Sequence, residues 1–217
     1  MTIPALIVFD LDGTLVDSRR DIADSANAVL EECGLPPHSE EAIGEMVGDG
    51  AAMLIARAFE AARSPLPADG LERFLRIYDS RLLRFTRAYE GIPELLAALE
   101  ARYGLAVLTN KPLGATRAIL DGVHLASYFG DRVLGGDGPH PRKPDPSGLL
   151  ELAARASVPA EQIMMVGDSP VDLQTAHATH ARACVARYGF GFREAMLEEL
   201  APQDVLLDHP LDLLTFL

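Results

Sequence analysis

Short apolar runs recur along the chain, and each is followed by a polar or glycine-rich break. They cover residues 5–9, 105–108, 132–134 and 163–166, with a weaker run at 183–186. Apolar runs of this length that do not alternate with polar residues are typical of strands buried on both faces of a sheet. Helical spacing lies between them, as at 92–101 and 147–156. This order predicts an α/β fold with a doubly wound parallel sheet.

One long segment, from about Val16 to about Phe85, contains no such run. Its apolar residues instead follow a helical period, at positions 22, 26, 29, 30 and 33 and again at 71, 74, 75, 78 and 82. Shorter helical pieces lie near 43–47 and 51–59. We therefore predict an α-helical cap domain at residues 16–85, inserted into a core formed by residues 1–15 and 86–217.

Carboxylates follow two of the predicted strands. Asp10 and Asp12 end the first run in the sequence DLDGT, and Asp168 and Asp172 follow another in GDSPVD. An Asp-Gly turn leaving a strand would explain the first pair alone. Two acidic clusters at one edge of a sheet would repel each other, however, and ligands bind at that edge in open α/β sheets. A divalent cation with oxygen ligands resolves this repulsion, and Mg²⁺ suits a site of few carboxylates.

A hydroxyl and two lysines occupy the same predicted edge. Thr109 follows a third run, where a threonine is usually a cap or turn residue. The chain has only two lysines, Lys111 and Lys143, and each precedes a proline in a loop on this side of the sheet. A compact ammonium charge suits phosphoryl oxygens that shift during transfer. These residues favour an anion site beside the metal site.

The motifs and their order resemble those of the haloacid dehalogenase (HAD) superfamily, and within it those of the phosphoglycolate phosphatase group. They are DLDGTLVDS at 10–18, Thr109-Asn110, RKPDP at 142–146 and GDSPVD at 167–172. The resemblance spans nearly the whole chain. It implies a Rossmann-like core, an inserted helical cap, and a Mg²⁺-dependent phosphatase that cleaves a small phosphate monoester such as 2-phosphoglycolate.

The resemblance also implies catalytic roles for two carboxylates. Asp10 would be the nucleophile that forms an aspartyl-phosphate, and Asp12 would protonate the leaving group and then activate water. Mg²⁺ would be held by the carboxylates of Asp10 and Asp168 and by the backbone carbonyl of Asp12.

Further roles concern the phosphate group. Thr109 and Lys143 would act in catalysis by holding the non-transferring oxygens, and Asn110 would assist through its backbone. Gly13 would belong to the same substrate-binding set. Asp172 would orient Lys143 or the metal ligands.

Two other functions share these residue types. A phosphosugar mutase of the same superfamily uses the same Asp pair and cap, but returns the phosphate to its substrate. A phospho-receiver signalling domain also combines an acceptor Asp, an acidic cluster, a Thr and a Lys. Its acceptor ends a middle strand rather than the first, and the insertion at 16–85 would then be unexplained.

Charge limits the partners. The formal net charge is −13 and no basic cluster occurs, which argues against nucleic acid and anionic membranes. The amino-terminal apolar run lacks a basic start and breaks at Asp10, unlike a signal peptide or membrane span. Cys33 and Cys184 lie far apart, as expected of reduced thiols. We expect a cytoplasmic protein whose partner is a small phosphorylated metabolite; the sequence leaves the oligomeric state open.

Overall fold

A six-stranded parallel sheet forms the centre of the computed structural model, which describes residues 4–217. The strands of the described residues are β1 (Leu6–Phe9), β2 (Val16–Asp17), β3 (Arg87–Ala88), β4 (Gly104–Leu108), β5 (Val133–Leu134), β6 (Ile163–Gly167), β7 (Arg182–Ala186) and β8 (Val205–Leu207). All of them except β2 and β3, which pair with each other, belong to this sheet. The sheet order is β5-β4-β1-β6-β7-β8, so β1 lies between β4 and β6. This confirms the predicted parallel sheet.

The helices are α1 (Arg19–Glu32), α2 (Glu40–Gly44), α3 (Ala51–Ala61), α4 (Gly70–Asp79), α5 (Ile92–Leu99), α6 (Leu113–Gly122), α7 (Ala126–Phe129), α8 (Ser147–Ala156) and α9 (Pro170–Ala178). Those from α5 to α9 cover both faces of the six-stranded sheet. In β1, Ile7 and Phe9 pack on the side of α5, α6 and α7, whereas Leu6 and Val8 pack on the side of α8 and α9. Burial on both sides explains why this strand is apolar throughout.

Three short strands were not predicted. β8 adds a sixth strand parallel to β7, but only three residues form it. β2 and β3 pair antiparallel, with Val16 opposite Ala88, where the chain enters and leaves the insertion. Strands of two or three residues are too short to show a period in the sequence.

Helices α1 to α4 build a separate hydrophobic cluster between β2 and β3 in the chain. It includes Ile22, Val29, Ile55, Phe59 and Phe74. The inserted helical cap is thus confirmed as part of the fold, while the limits 16–85 stay a prediction. The expected continuation of the last helix to residue 82 is wrong, because α4 ends at Asp79 and turns follow.

A buried carboxylate joins the start of the cap to its end. One oxygen of Asp21, in α1, accepts hydrogen bonds from the backbone N–H groups of Phe85 and Thr86 at 2.9 and 2.8 Å. The Thr86 hydroxyl donates a third bond to it at 2.8 Å.

Among residues 4–217, no helix is long and apolar enough to cross a bilayer.

Candidate active site

The carboxyl ends of the three central strands bring the predicted residues together. Asp10 directly follows β1, Thr109 follows β4 and Asp168 follows β6. All three side chains are buried, with at most 7% of any of these residues exposed. The backbone N–H of Asp10 donates to the carbonyl of Val166 at 2.8 Å, so hydrogen bonding extends past the strand to the site itself.

Three carboxylates cluster around one ammonium. Oxygens of Asp10, Asp168 and Asp172 lie within 4.8 Å of one another. The Lys143 Nζ lies 2.8 Å from Asp10 Oδ1 and 2.5 Å from Asp172 Oδ1. Burial raises the pKa of Asp10 to about 6, against the opposing effect of Lys143, with Asp172 adding to the rise. Burial and the neighbouring carboxylates also raise the pKa of Asp168 well above its usual value.

One lysine cannot neutralise three buried carboxylates, and this deficit is the observation that fits a metal. Hard oxygen donors of this kind suit a small divalent cation such as Mg²⁺. A cation bound there would favour the ionised carboxylates and so oppose both the burial and the repulsion that raise the two pKa values. The donor set at this sheet edge therefore agrees with the cofactor expected from the sequence.

The backbone around Asp168 is close-packed. The N–H of Gly191 donates to Asp168 Oδ2 at 2.6 Å. Gly13 has φ +84°, and a Cβ added there would lie 1.8 Å from Asp168 Oδ2, so no other residue fits. The N–H of Gly13 donates to the carbonyl of Val16 at 2.9 Å. Its observed part is therefore to let the loop approach Asp168, rather than to offer a free donor to substrate.

Asp12 lies outside the acidic cluster and pairs with Lys111, a lysine that the sequence placed at the anion site but to which the family resemblance gave no role. The Lys111 Nζ lies 3.1 and 2.9 Å from the two carboxylate oxygens of Asp12. The Ser18 hydroxyl donates to Asp12 Oδ1 at 2.5 Å. Burial opposes the charge of Lys111, but Asp12 raises the lysine pKa, so Lys111 stays an ammonium. The rarity of lysine had already singled out Lys111 in the sequence, but it did not predict the pairing with Asp12.

The side chain of Asn110 connects two loops. Its Nδ2 donates to the carbonyl of Lys143 at 2.9 Å and to the carbonyl of Gly48, in the cap, at 2.8 Å. Its Oδ1 accepts from the backbone N–H of Lys143 at 2.8 Å. The sequence predicted a backbone role for Asn110, whereas the structure gives its amide side chain a structural one.

Asp172 lies against Lys143 at the start of α9. Its Oδ2 accepts hydrogen bonds from the backbone N–H and hydroxyl of Ser169, at 3.1 and 2.6 Å. Its Oδ1 faces Lys143 Nζ. The helix thus fixes the carboxylate that holds the lysine in place.

A cavity of about 390 Å³ lies between the sheet edge and the cap. Asp10, Asp12, Thr109 and Lys111 line its core side. Apolar side chains line most of the cap side, and they are Ile22, Val47, Leu54, Phe74, Leu75 and Leu82. Lys143 lies behind Asp10, outside the lining of this cavity. The arrangement thus places three groups around one cavity: the Asp10 carboxylate, which could attack phosphorus, the Asp12 carboxylate, which could transfer protons, and the Lys111 ammonium.

Comparisons with known proteins agree with this geometry. Residues 7–186 match the family model described as haloacid dehalogenase-like hydrolase. A phosphoglycolate phosphatase of Rhodospirillum rubrum is 43% identical over 86% of this chain and 81% of its own length. One of Cereibacter sphaeroides is 38% identical over 94% and 93%. The crystal structure of a predicted phosphoglycolate phosphatase from Haemophilus somnus superimposes with a TM-score of 0.87 at 33% identity, covering 99% of this chain and 98% of that one.

Proposed function

This chain belongs to the haloacid dehalogenase-like hydrolase family and is a phosphoric monoester hydrolase, and from that premise we propose that it is a Mg²⁺-dependent phosphatase acting on 2-phosphoglycolate or a closely similar ester. The observation that carries the proposal is the Asp10 carboxylate, which faces the cavity in front and contacts Lys143 behind. The relatives named phosphoglycolate phosphatase support the choice of substrate.

Asp10 acts as the nucleophile. One of its oxygens attacks phosphorus, so an Asp10 O–P bond forms while the ester O–P bond breaks and the alcohol oxygen leaves with the electron pair. Lys143 beside Asp10 keeps this carboxylate oriented. A carboxylate needs no deprotonation by a base at neutral pH, because even the raised pKa of about 6 leaves most of it ionised.

Asp12 acts as the general acid and then as the general base. It gives a proton to the leaving alcohol oxygen, and in the second step it takes one from the water that attacks the aspartyl-phosphate. The Asp10 O–P bond then breaks, which releases inorganic phosphate, regenerates the Asp10 carboxylate and leaves Asp12 as the carboxylic acid that begins the next cycle. The bonds from Ser18 and Lys111 fix the orientation of Asp12 for both transfers.

Asp10, Asp168 and the backbone carbonyl of Asp12 would hold the Mg²⁺, with Asp172 adjacent. When bound, the cation supplies charge neutralisation between the nucleophile and the phosphate dianion. Thr109, buried at the end of β4, offers its hydroxyl to a non-transferring phosphate oxygen. Asn110 fixes the loop that carries Lys143.

The helical cap closes over the reaction. Its apolar wall excludes bulk water and contacts the alcohol part of the substrate. This assigns residues 16–85 to substrate selection, and residues 1–15 and 86–217 to the chemistry.

The experiment measures phosphate release from 2-phosphoglycolate by the purified protein, with Mg²⁺ and with excess chelator. We expect turnover only with Mg²⁺. The intermediate is tested with Asp12→Asn and an aryl phosphate, whose leaving group needs no proton: the variant should accumulate protein carrying one phosphoryl group on the peptide that contains Asp10. Full activity in chelator, or a variant that turns over without any phosphorylated protein, would refute the corresponding part of the mechanism.

A further inference from the structure

A buried phenol in the cavity wall lacks a partner. Tyr78, in cap helix α4, is only 3% exposed, and its hydroxyl has no hydrogen-bond partner. Phe74 stacks on the ring at 5.7 Å between centroids, with the two planes 6° apart, which fixes its position. A buried hydroxyl without a partner destabilises a protein, because it has lost its hydrogen bonds to water. A group that enters the cavity and accepts this hydrogen bond would remove that cost.

A lysine from the core lies next to the phenol. The Lys111 Nζ lies 4.5 Å from the centroid of the Tyr78 ring. Lys111 is the one cationic side chain among the described residues that line the cavity. Burial raises the pKa of Tyr78 to about 12, although Lys111 opposes the rise, so the phenol keeps its proton at neutral pH and can donate it in a hydrogen bond.

We propose that Tyr78 and Lys111 form an anion subsite, which binds a carboxylate on the alcohol part of the substrate. This inference rests on the proposed function and adds the two residues that would select, among phosphate monoesters, those whose alcohol carries a second negative charge. The core supplies the ammonium and the cap supplies the hydroxyl. Of the other cap side chains that line the cavity, Asp79 is exposed and acidic and the rest are apolar, so on the cap side Tyr78 is the hydroxyl that can join Lys111 in binding an anion.

A neutral alcohol of the same size would fill the cavity but would leave the charge complementarity of the anion subsite unused. Sites built to bind a polar group reject analogues that lack it more strongly than apolar pockets reject a missing methylene. The anion subsite therefore discriminates by charge, and the apolar wall around it by size.

The test uses three substrates of nearly equal size: 2-phosphoglycolate, 2-hydroxyethyl phosphate and phosphoethanolamine, whose alcohol ends are anionic, neutral and cationic. In the unmodified protein kcat/KM should decrease in that order. Tyr78→Phe should reduce the preference for 2-phosphoglycolate over the neutral ester by about tenfold, mostly through KM, because a hydrogen bond to a charged group is lost. Lys111→Gln should reduce the same preference by more than Tyr78→Phe does. Any loss of rate that it causes equally on all three substrates cancels in this ratio.

Tyr103→Phe is the matched control. Tyr103 also has a buried hydroxyl without a partner, but it packs in the core cluster and does not line the cavity. Its substitution should leave the preference unchanged. Equal losses on all three substrates in Tyr78→Phe and Lys111→Gln would overturn the anion subsite while the phosphatase proposal stands. An unmodified protein that releases no phosphate from 2-phosphoglycolate would instead overturn the proposed substrate.

Discussion

The two sides of the cavity differ in polarity. The sheet edge is polar, buried and internally paired, with Lys143 on Asp10 and Asp172 and with Lys111 on Asp12. The cap side is largely apolar, with Tyr78 as its buried hydroxyl. Charged groups preorganised on a rigid sheet suit bond making and breaking. An apolar wall on a separate hydrophobic cluster suits selection, because its shape can change without disturbing those charges.

Asp10→Asn removes a charged group from the core side of the cavity and has the largest expected effect. We expect kcat to fall by more than about 10³-fold, because the amide cannot serve as the nucleophile. The variant should melt no earlier than the unmodified protein, since one member of a mutually repelling cluster is made neutral. Phosphate release and a thermal unfolding curve on the same preparation measure both. Activity of a few per cent would remove Asp10 from the nucleophilic role.

Asp12→Asn should have the next largest effect. Loss of a proton-transfer group costs roughly 10²- to 10⁴-fold in kcat. The loss should be smaller on an aryl phosphate than on an alkyl phosphate in the first step, because only the alkoxide must be protonated as it leaves. Rapid-mixing measurements of leaving-group release separate the two cases. An unchanged rate on both substrates would reduce Asp12 to a turn residue.

The stability of the metal-free protein should depend on pH through the core cluster. The folded-state pKa of Asp10, about 6, lies above the ordinary value of 3.8 for an aspartate, and that of Asp168 is raised as well. Between these values the folded state holds more protons than the unfolded state, so stability falls as pH rises from about 4 to 6 and stays lower above that. Melting temperatures in chelator should therefore be several degrees lower at pH 7 than at pH 5.

Two additions test that origin. Mg²⁺ should raise the melting temperature more at pH 7 than at pH 5, because its ligands must be ionised. Asp10→Asn should weaken the pH dependence in chelator. Two results would contradict the role of these carboxyls in the pH dependence. One is a melting temperature of the unmodified protein that rises from pH 5 to pH 7, and the other is a pH dependence in Asp10→Asn that is as steep as in the unmodified protein.

Asp21→Asn acts on the cap side and has the smallest expected effect on catalysis. The substitution weakens the three hydrogen bonds that join α1 to residues 85 and 86. We expect a loss of about 1–3 kcal/mol in the free energy of unfolding. At saturating substrate, kcat should change by less than the loss caused by Asp12→Asn. Denaturant unfolding and steady-state kinetics give the two values; a drop in kcat as large as that of Asp10→Asn would show that the cap takes part in the chemistry.

The sequence predicted the core side better than the cap side, and for a physical reason. Asp10, Thr109 and Asp168 each follow a buried strand, and the rule that parallel strands end at one edge brings them together. No comparable rule says which residues of an amphipathic helix face a cavity rather than a hydrophobic cluster. The period that includes Tyr78 identifies a buried face, but the contact with Lys111 depends on how the cap packs on the core.

Lys143 and Asn110 show a finer limit. Sequence resemblance placed both near the phosphate, but the side-chain amide of Asn110 fixes the Lys143 loop and reaches the cap. Such bonds join residues far apart in the chain and leave no periodic signal. The pairing of β2 with β3 escaped prediction in the same way.

The bond from Asn110 to the cap has an evolutionary consequence. Its acceptor in the cap is the main-chain carbonyl of Gly48 rather than a side chain. Changes in the side chains of helices α1 to α4 leave that oxygen in place, so mutation can reshape the apolar wall of the cap while the hydrogen bond to Asn110 persists. Substitutions in helices α1 to α4 can thus change the substrate during evolution while the cap keeps the same position on the core.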